Sequence, residues 1–408
     1  MKFRILLLLM LVIAELNNAA IACTTFIISG KITPDGKPLL FKNRDTDNMN
    51  NSLFFFNDGR YDYIGIVTGD SLWNKMVWGG YNSKGFAIIN SAAYNNNTGD
   101  TTKLEDQEGV IMKLALQNCK TLQDFEKLLD TIRKPLGTNT NFGVIDANGG
   151  AAYYETGNYR YVKYDANDPS VAPDGYLIRT NHSLSGDIKD RKGICRFNTA
   201  SLAMSEAAAK HQVTPKYLFD HFSRNLSHSL TKTNLWDNIP LDTTSDFRFF
   251  IDYIPRRITA SAVMIVGAPN EKQAGNAVMW TILGFPLTSV AIPTWIEGGD
   301  KLPETATMKE NLHSPLCDAA LTLKGNCFPV PGEGQNYINL AVVINKQNTG
   351  YMQLLKPIED TIFMRADQLI MALDKGNKSK CDIQDYYKWL DFYLNESFKK
   401  LFNIELLL

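Results

Sequence analysis

Residues 23–47, CTTFIISGKITPDGKPLLFKNRDTD, contain two apolar segments that are separated by a turn. The segments CTTFIISG (23–30) and PLLFKN (38–43) are rich in β-branched and aromatic residues, which is typical of strands. Between them, TPDGK (33–37) predicts a tight turn, because proline presets φ and glycine tolerates a positive φ. We therefore predict a β-hairpin that begins at Cys23.

The segment before this hairpin has the features of a secretory signal peptide. Lys2 and Arg4 precede an apolar run from Ile5 to Ala14, and a polar stretch then leads to Ala20-Ile21-Ala22. The apolar run is about half of the roughly 20 residues that a membrane-spanning helix needs. We expect residues 1–22 to be removed, the protein to be exported to the periplasm or the extracellular space, and no membrane span to remain.

Charge and cysteine usage narrow the class of protein. The formal net charge is −1 and no basic stretch is present, so we expect no nucleic-acid partner. The five histidines are scattered and none of the six cysteines has zinc-ligand spacing, so we expect no catalytic metal and no cofactor. Cys317 and Cys327 lie in a segment that resembles a loop and are one possible disulfide pair.

Beyond the hairpin, hydrophobic periodicity predicts blocks of strands and helices without regular βαβ alternation. Strands are predicted over residues 53–67, 76–80, 85–92, 142–147, 150–156, 160–164, 176–180, 258–267, 277–283 and 337–344. Helices are predicted over residues 109–120, 121–133, 194–210, 214–223, 356–374 and 382–403. This order favours an α+β layered fold with antiparallel sheets. We expect one catalytic domain over residues 23–408, with a C-terminal helical appendage.

Cleavage after Ala22 would make Cys23 the N-terminal residue, and its own α-amine would then be a base beside its thiol. Two other interpretations remain open at this point. Ala20–Cys23 also fits a loose lipobox, in which the cysteine is lipidated and its amine is blocked, and a buried cysteine without any role is the third. A lipidated cysteine is usually followed by a flexible tether. Here a strand follows at once, which favours the nucleophile.

The segment that begins at Cys23 resembles the N-terminal-nucleophile cysteine hydrolases, the superfamily of choloylglycine hydrolases, penicillin V acylases and acyl-coenzyme A:6-aminopenicillanic acid acyltransferases. The shared features are the first cysteine, the strand hairpin, and Arg44 followed three residues later by Asp47. The resemblance implies a four-layer αββα sandwich and hydrolysis of a linear amide through an acyl-thioester. It also implies that Arg44 holds the thiolate and the substrate carbonyl, and that Asp47 holds the new α-amine.

Two further segments extend this resemblance. GYNSKGFAIINS (80–91) places Asn90 near the nucleophile, and RTNH (179–182) implies that Asn181 donates a hydrogen bond to the oxyanion. His182 is a weaker candidate for a general base, because the α-amine already has that role.

A helix that opens near Ile194 supplies an arginine that points into the site in the family. Arg196 is the best match and Arg191 is the alternative. Trp280 and Trp295 lie in segments that resemble a late strand and loop of the acyltransferases, where they either line an acyl pocket or belong to the core.

The predicted partner is a small-molecule N-acyl amide, and a homo-oligomer is possible. The sequence leaves the acyl group open. Two other functions remain: an N-terminal-cysteine dipeptidase, which shares the C-T-T opening and the T-x-D-G turn, and a lipid-anchored surface protein that binds a ligand without turnover.

Overall fold

The computed structural model describes residues 22–69, 76–309, 312–377 and 379–407. The predicted signal peptide therefore lies outside the described residues, apart from Ala22. Among the described residues, no helix is both long enough and apolar enough to cross a membrane.

Within the described ranges, the strands form two large antiparallel sheets and two small two-stranded sheets. The strands are β1 (Cys23–Ile28), β2 (Leu39–Asp45), β3 (Ser52–Phe56), β4 (Tyr63–Val67), β5 (Gly80–Asn82), β6 (Ala87–Ala92), β7 (Thr140–Ile145), β8 (Ala151–Thr156), β9 (Tyr161–Asp165), β10 (Tyr176–Arg179), β11 (Ser227–His228), β12 (Thr233–Asn234), β13 (Phe247–Phe249), β14 (Thr259–Val266), β15 (Val278–Leu283), β16 (Ala291–Thr294) and β17 (Tyr337–Asn339). Sheet A has the order β10-β1-β2-β14-β15-β16, and sheet B runs in chain order from β3 to β9.

Helices lie on the outer faces of both sheets. They are α1 (Glu108–Asn118), α2 (Leu122–Thr131), α3 (Ile194–Ala209), α4 (Pro215–Leu218), α5 (Pro315–Cys327), α6 (Leu340–Val343), α7 (Tyr351–Asp374) and α8 (Lys380–Phe402). A single π-helical turn, Phe219–Ser223, continues α4.

The buried residues show four layers, which confirms the predicted αββα architecture. Alternate residues of sheet B face opposite ways: Ile88 packs with α1 and α2, whereas Ile89 packs against sheet A. This alternation follows from the two-residue period of a strand. On the other side of sheet A lie α3, α4 and the two C-terminal helices, whose buried residues belong to the same core as the strands. Trp280 of β15, for example, stacks on Phe363 of α7 with 4.0 Å between ring centroids.

Three local predictions differ from the structure. The predicted strand 76–80 overlaps β5 only at Gly80. The predicted strand 337–344 is a three-residue strand followed by the helical turn α6. The segment that contains Cys317 and Cys327 is the helix α5, and both thiols are free. A disulfide between them is excluded by geometry, because ten residues of helix separate two Cα atoms by about 15 Å.

The hairpin that the sequence predicts is formed by β1 and β2, and its register determines the geometry of the site. Cys23 pairs with Arg44 and Thr25 pairs with Lys42. Residues that face each other across an antiparallel pair share one side of the sheet. This side faces sheet B, since the Tyr153 hydroxyl on β8 donates to Thr25 Oγ1 at 2.7 Å.

Candidate active site

Cys23 is the first residue of β1, the second strand of sheet A, which lies between the edge strand β10 and β2. It is 4% exposed, although it stands at the end of a strand where a chain usually meets solvent. The three side chains of β1 and β2 nearest to it on the same face are Thr25, Lys42 and Arg44. The thiol therefore lies in a buried, polar and cationic environment.

Arg196 reaches this position from the first turn of α3. Its Nη1 donates to the carbonyl oxygen of Cys23 at 2.9 Å and to Thr24 Oγ1 at 3.0 Å. Gly193, just before the helix, has a φ of +73°, and a Cβ there would lie 2.7 Å from Arg196 Nη2. A glycine is thus needed both for the backbone conformation and for the approach of the arginine.

Asn181 joins this group through the same guanidinium. Arg196 Nη2 donates to Asn181 Oδ1 at 2.6 Å, and Asn181 Nδ2 donates to the carbonyl of Ala92 at the end of β6. The amide is therefore held in one orientation, because guanidinium groups only donate and carbonyl oxygens only accept. Sequence analysis predicted both residues, and the structure brings them together.

Asn90 lies on sheet B and faces Lys42 across the gap between the sheets. Lys42 Nζ donates to Asn90 Oδ1 at 2.6 Å, and Asn90 Nδ2 donates to Thr140 Oγ1 at 3.2 Å. Sequence analysis missed Lys42. A signal was available, because a lysine inside the apolar strand LLFKN is costly to bury without a purpose.

Arg44 is buried at the same end of the hairpin. Its Nη1 donates to Asn51 Oδ1 at 3.0 Å, and its guanidinium carbon lies 4.7 Å from the centroid of the Trp78 ring. Trp78 also accepts a hydrogen bond from Lys42 through its backbone carbonyl, at 3.0 Å. Among the described residues, the hydrogen-bond acceptors of Lys42 are therefore both neutral groups.

The structure does not bring Asp47 together with the other predicted residues. Its side chain is exposed, beyond the end of β2. The buried carboxylate of this segment is Asp45, which accepts from Thr259 Oγ1 at 2.6 Å and lies 3.7 Å from Arg256 Nη1. Burial raises the pKa of Asp45, and the positive charges of Arg256 and Arg196 partly oppose that shift.

Residues 32–234 match the family model described as acyl-coenzyme A:6-aminopenicillanic acid acyl-transferase. The match includes the second strand of the hairpin, both asparagines and Arg196. The chain belongs to the N-terminal-nucleophile hydrolase superfamily. This confirms the resemblance that Cys23 and the residues after it indicate.

Three solved structures are distantly similar to this chain. They are a Caenorhabditis elegans N-acylethanolamine-hydrolyzing acid amidase ortholog (16% identity, 62% of this chain and 96% of that chain, TM-score 0.41), a mutant of conjugated bile acid hydrolase from Clostridium perfringens (12%, 67% and 92%, TM-score 0.40) and penicillin V acylase from Agrobacterium tumefaciens (11%, 67% and 86%, TM-score 0.37). No curated protein matches the chain.

Two further side chains belong to this region and were not predicted as site residues. Burial and the negative charge of Cys23 raise the pKa of Tyr94 to about 12, while Arg256 and Arg196 oppose the shift. Glu155 accepts from Arg179 Nε at 2.7 Å and from the backbone N–H groups of Leu184 and Ser185. It thereby anchors the loop that follows Asn181.

The contacts of His182 indicate a structural role and not a role as a general base. Its Nδ1 lies 2.9 Å from the carbonyl of Lys192, so this nitrogen carries the proton and donates. Burial lowers the pKa of the ring, which favours its neutral form.

Trp280 and Trp295 are fully buried against α7 and α8, so they belong to the core and do not line a pocket. Within the described ranges, no group of three or more metal-ligating side chains is arranged to hold an ion.

Proposed function

We propose that this protein is an exported amidohydrolase whose nucleophile is Cys23, made N-terminal by removal of the signal peptide after Ala22. The observation that carries the proposal is the hydrogen bond from Arg196 to the carbonyl of Cys23, since the same guanidinium also holds Asn181. A residue that serves only the core would not need its backbone held by a buried arginine.

The proposed reaction is the transfer of an acyl group to water. The sulfur of Cys23 attacks the carbonyl of a linear amide, and the α-amine takes the thiol proton and then gives it to the leaving amine. The amine product departs and an acyl-thioester remains. Water, deprotonated by the same α-amine, then attacks the thioester and releases the carboxylic acid and the free thiol. No cofactor takes part.

Asn181 is the proposed donor to the tetrahedral oxyanion, with Asn90 in support. Donors that are fixed before the reaction stabilise the developing charge without reorganisation, and each is commonly worth about 10²–10³ in rate. Arg44 and Arg196 would position the substrate carbonyl. The resemblance implies this role for Asp47, but its side chain is exposed beyond the end of β2, so the buried Asp45 is the carboxylate proposed to orient the α-amine.

The proposed substrate is a small-molecule N-acyl amide. The family model names an acyltransferase, so the acyl-thioester would pass its acyl group either to water or to an amine. Bile salts, penicillin V and N-acyl amino acids form the first substrate screen, with dipeptides included because an N-terminal-cysteine dipeptidase would cleave them.

The first experiment is intact mass and N-terminal sequencing of the exported protein, followed by the substrate screen on the wild type and Cys23→Ser. We expect a mass that matches residues 23–408, a free cysteine at position one, and loss of nearly all turnover in a normally folded Cys23→Ser variant. Cys381→Ser is the matched control, because Cys381 is an exposed thiol and its replacement leaves activity unchanged. A diacylglycerol-sized mass increment on Cys23, or full turnover by Cys23→Ser, would contradict the proposal.

A further inference from the structure

We propose that Lys42 is a positioning residue of this site, because its ammonium group fixes Asn90 and the Trp78 backbone, and its charge stabilises the negative charge that forms at Cys23. This inference rests on the proposed function. It assigns a role to a residue that neither the family resemblance nor the sequence analysis marks.

The position of Lys42 in the fold is one where an apolar side chain normally packs. It lies in the middle of β2, a central strand of sheet A, and is 2% exposed. Its side chain points between the two sheets, on the face that carries Cys23 and Arg44. Lysine is almost never fully buried in such a place unless it is paired.

The partners of Lys42 make the burial more unusual, because in the described part of the chain both of its hydrogen-bond acceptors are uncharged. They are Asn90 Oδ1 at 2.6 Å and the carbonyl of Trp78 at 3.0 Å. Arg224 is also buried, but its partner is charged. Two of its nitrogens donate hydrogen bonds to the carboxylate of Glu359, at 2.9 and 2.6 Å. An ion without a counter-ion of this kind is costly to desolvate.

The charged and titratable groups that act on Lys42 electrostatically are Cys23 on β1, Arg44 and Asp45 on β2, and Glu108 on α1. Burial, assisted by the positive charge of Arg44, lowers the pKa of Lys42 to about 8, and among the charges that oppose the shift the negative charge of Cys23 is the strongest. Burial also raises the pKa of Glu108, which favours its uncharged form. The negative charge that best matches the ammonium is therefore the one that forms at Cys23.

The attraction between Lys42 and Cys23 is mutual. If a negative sulfur favours the protonated lysine, the protonated lysine favours the negative sulfur by the same free energy. The cost of burying the ammonium group is thus offset when a thiolate or an oxyanion is present, which is what a transition state for acyl transfer requires.

Lys42 also determines how Asn90 is oriented. An ammonium group only donates, so the atom of Asn90 that faces it is the carbonyl oxygen, and the NH₂ group points the other way. Removing the ammonium would free the amide to turn, and a misplacement of about 1 Å in a catalytic group can cost ~10² in rate.

The test uses the processed enzyme and compares Lys42→Met and Lys42→Arg with the wild type, with kcat/KM measured against pH on an amide that the enzyme cleaves. Lys37→Met is the matched control. Lys37 is also buried on this hairpin, but it pairs with Asp374 at 2.7 Å. We expect Lys42→Met to lose about 10² in kcat/KM, and Lys37→Met to match the wild type for each folded molecule.

The pH profile separates a charge role from a structural one. In the wild type, kcat/KM should fall above about pH 8 as Lys42 loses its proton. Lys42→Arg should keep a positive charge and therefore show that fall at higher pH. If Lys42→Met does not fold, the wild-type and Lys42→Arg profiles still decide the question. A wild-type profile without the alkaline fall, or a Lys42→Met variant with wild-type kcat/KM, would overturn the inference.

The same samples distinguish failure of the proposed function from failure of the Lys42 inference. If enzyme alkylated at Cys23 still cleaves the amide, the proposed nucleophile is wrong and the role of Lys42 falls with it. If alkylation stops turnover but Lys42→Met keeps the wild-type profile, the nucleophile stands and only the Lys42 inference fails.

Discussion

The two ends of the β1–β2 hairpin differ in what they bury. Near the turn, the paired residues are Ile27 with Leu40 and Ile28 with Leu39, and all four are essentially inaccessible to solvent. At the open end, the residues buried on the face toward sheet B are Cys23, Thr25, Lys42 and Arg44. The same strand register continues through both ends. Burial of the apolar end stabilises the hairpin, and this stability offsets the cost of burying the polar and charged end.

Two buried lysines on this hairpin show the same contrast. Lys37, beside the turn, meets the carboxylate of Asp374. Lys42, five residues later, meets an amide and a backbone carbonyl. A buried charge that has a counter-ion is part of an ordinary structural ion pair. A buried charge that has only neutral partners remains able to stabilise an opposite charge that forms nearby. We therefore expect substitutions at the apolar end to change mainly stability and substitutions at the open end to change mainly activity.

The largest expected effect is at Arg196, which bridges Cys23 and Asn181. Arg196→Met should reduce kcat/KM by about 10²–10³, since it removes the donor to the Cys23 carbonyl and frees the Asn181 amide. Arg191→Met is the control, because Arg191 precedes α3 and donates to the Leu184 carbonyl, at 3.4 Å. Steady-state kinetics on variants with unchanged circular dichroism would measure this. Equal losses in both variants would contradict a special role for Arg196.

The apolar end should show the reverse pattern. Leu40→Ala removes a fully buried side chain from the core between the sheets and should lower the free energy of unfolding by about 2–5 kcal/mol. The kcat/KM of the folded fraction should stay at the wild-type value. Urea denaturation and kinetics on the same samples test the division, and a Leu40→Ala enzyme that is stable but inactive would contradict it.

Lys42 should also leave a signature in the pH dependence of stability. Its pKa is about 8 in the folded protein and about 10.4 in an unfolded chain, so the folded state binds fewer protons between these values. The stability of the wild type should therefore rise relative to Lys42→Met as the pH increases from 8 to 10, by about 2 kcal/mol. Urea denaturation at both pH values measures the difference. A constant difference would mean that Lys42 is not a buried charge.

The smallest expected effect concerns the reactivity of three buried thiols other than Cys23. Burial raises the pKa of Cys119 and of Cys317 to about 12 and raises that of Cys327 as well. These three should resist iodoacetamide at about pH 8 in the native protein, whereas the exposed Cys381 reacts. Peptide mapping by mass spectrometry gives the pattern, and rapid native labelling of Cys317 would show that α5 opens.

Local patterns in the sequence were sufficient for most of the fold. The hairpin, α1, α2, α3 and the two C-terminal helices all lie within a few residues of their predicted limits, because turn residues and hydrophobic periodicity act over short distances. The errors are also local in origin. The segment with Cys317 and Cys327 contains prolines that favour a loop, but Pro315 occupies the first turn of α5, where proline is tolerated.

The sequence by itself determined the fold class, the superfamily and four of the residues that meet near Cys23: Arg44, Asn90, Asn181 and Arg196. Each belongs to a short motif whose chemistry can be recognised from neighbouring residues. Only the tertiary structure decided that Asp47 is exposed while Asp45 is buried, and that Lys42 lies between Asn90 and the hairpin. The physical reason is that burial and hydrogen bonding depend on which strands and sheets face one another. Asn90 and Lys42 are 48 positions apart in the chain, and the contact between them exists only once the two sheets have packed.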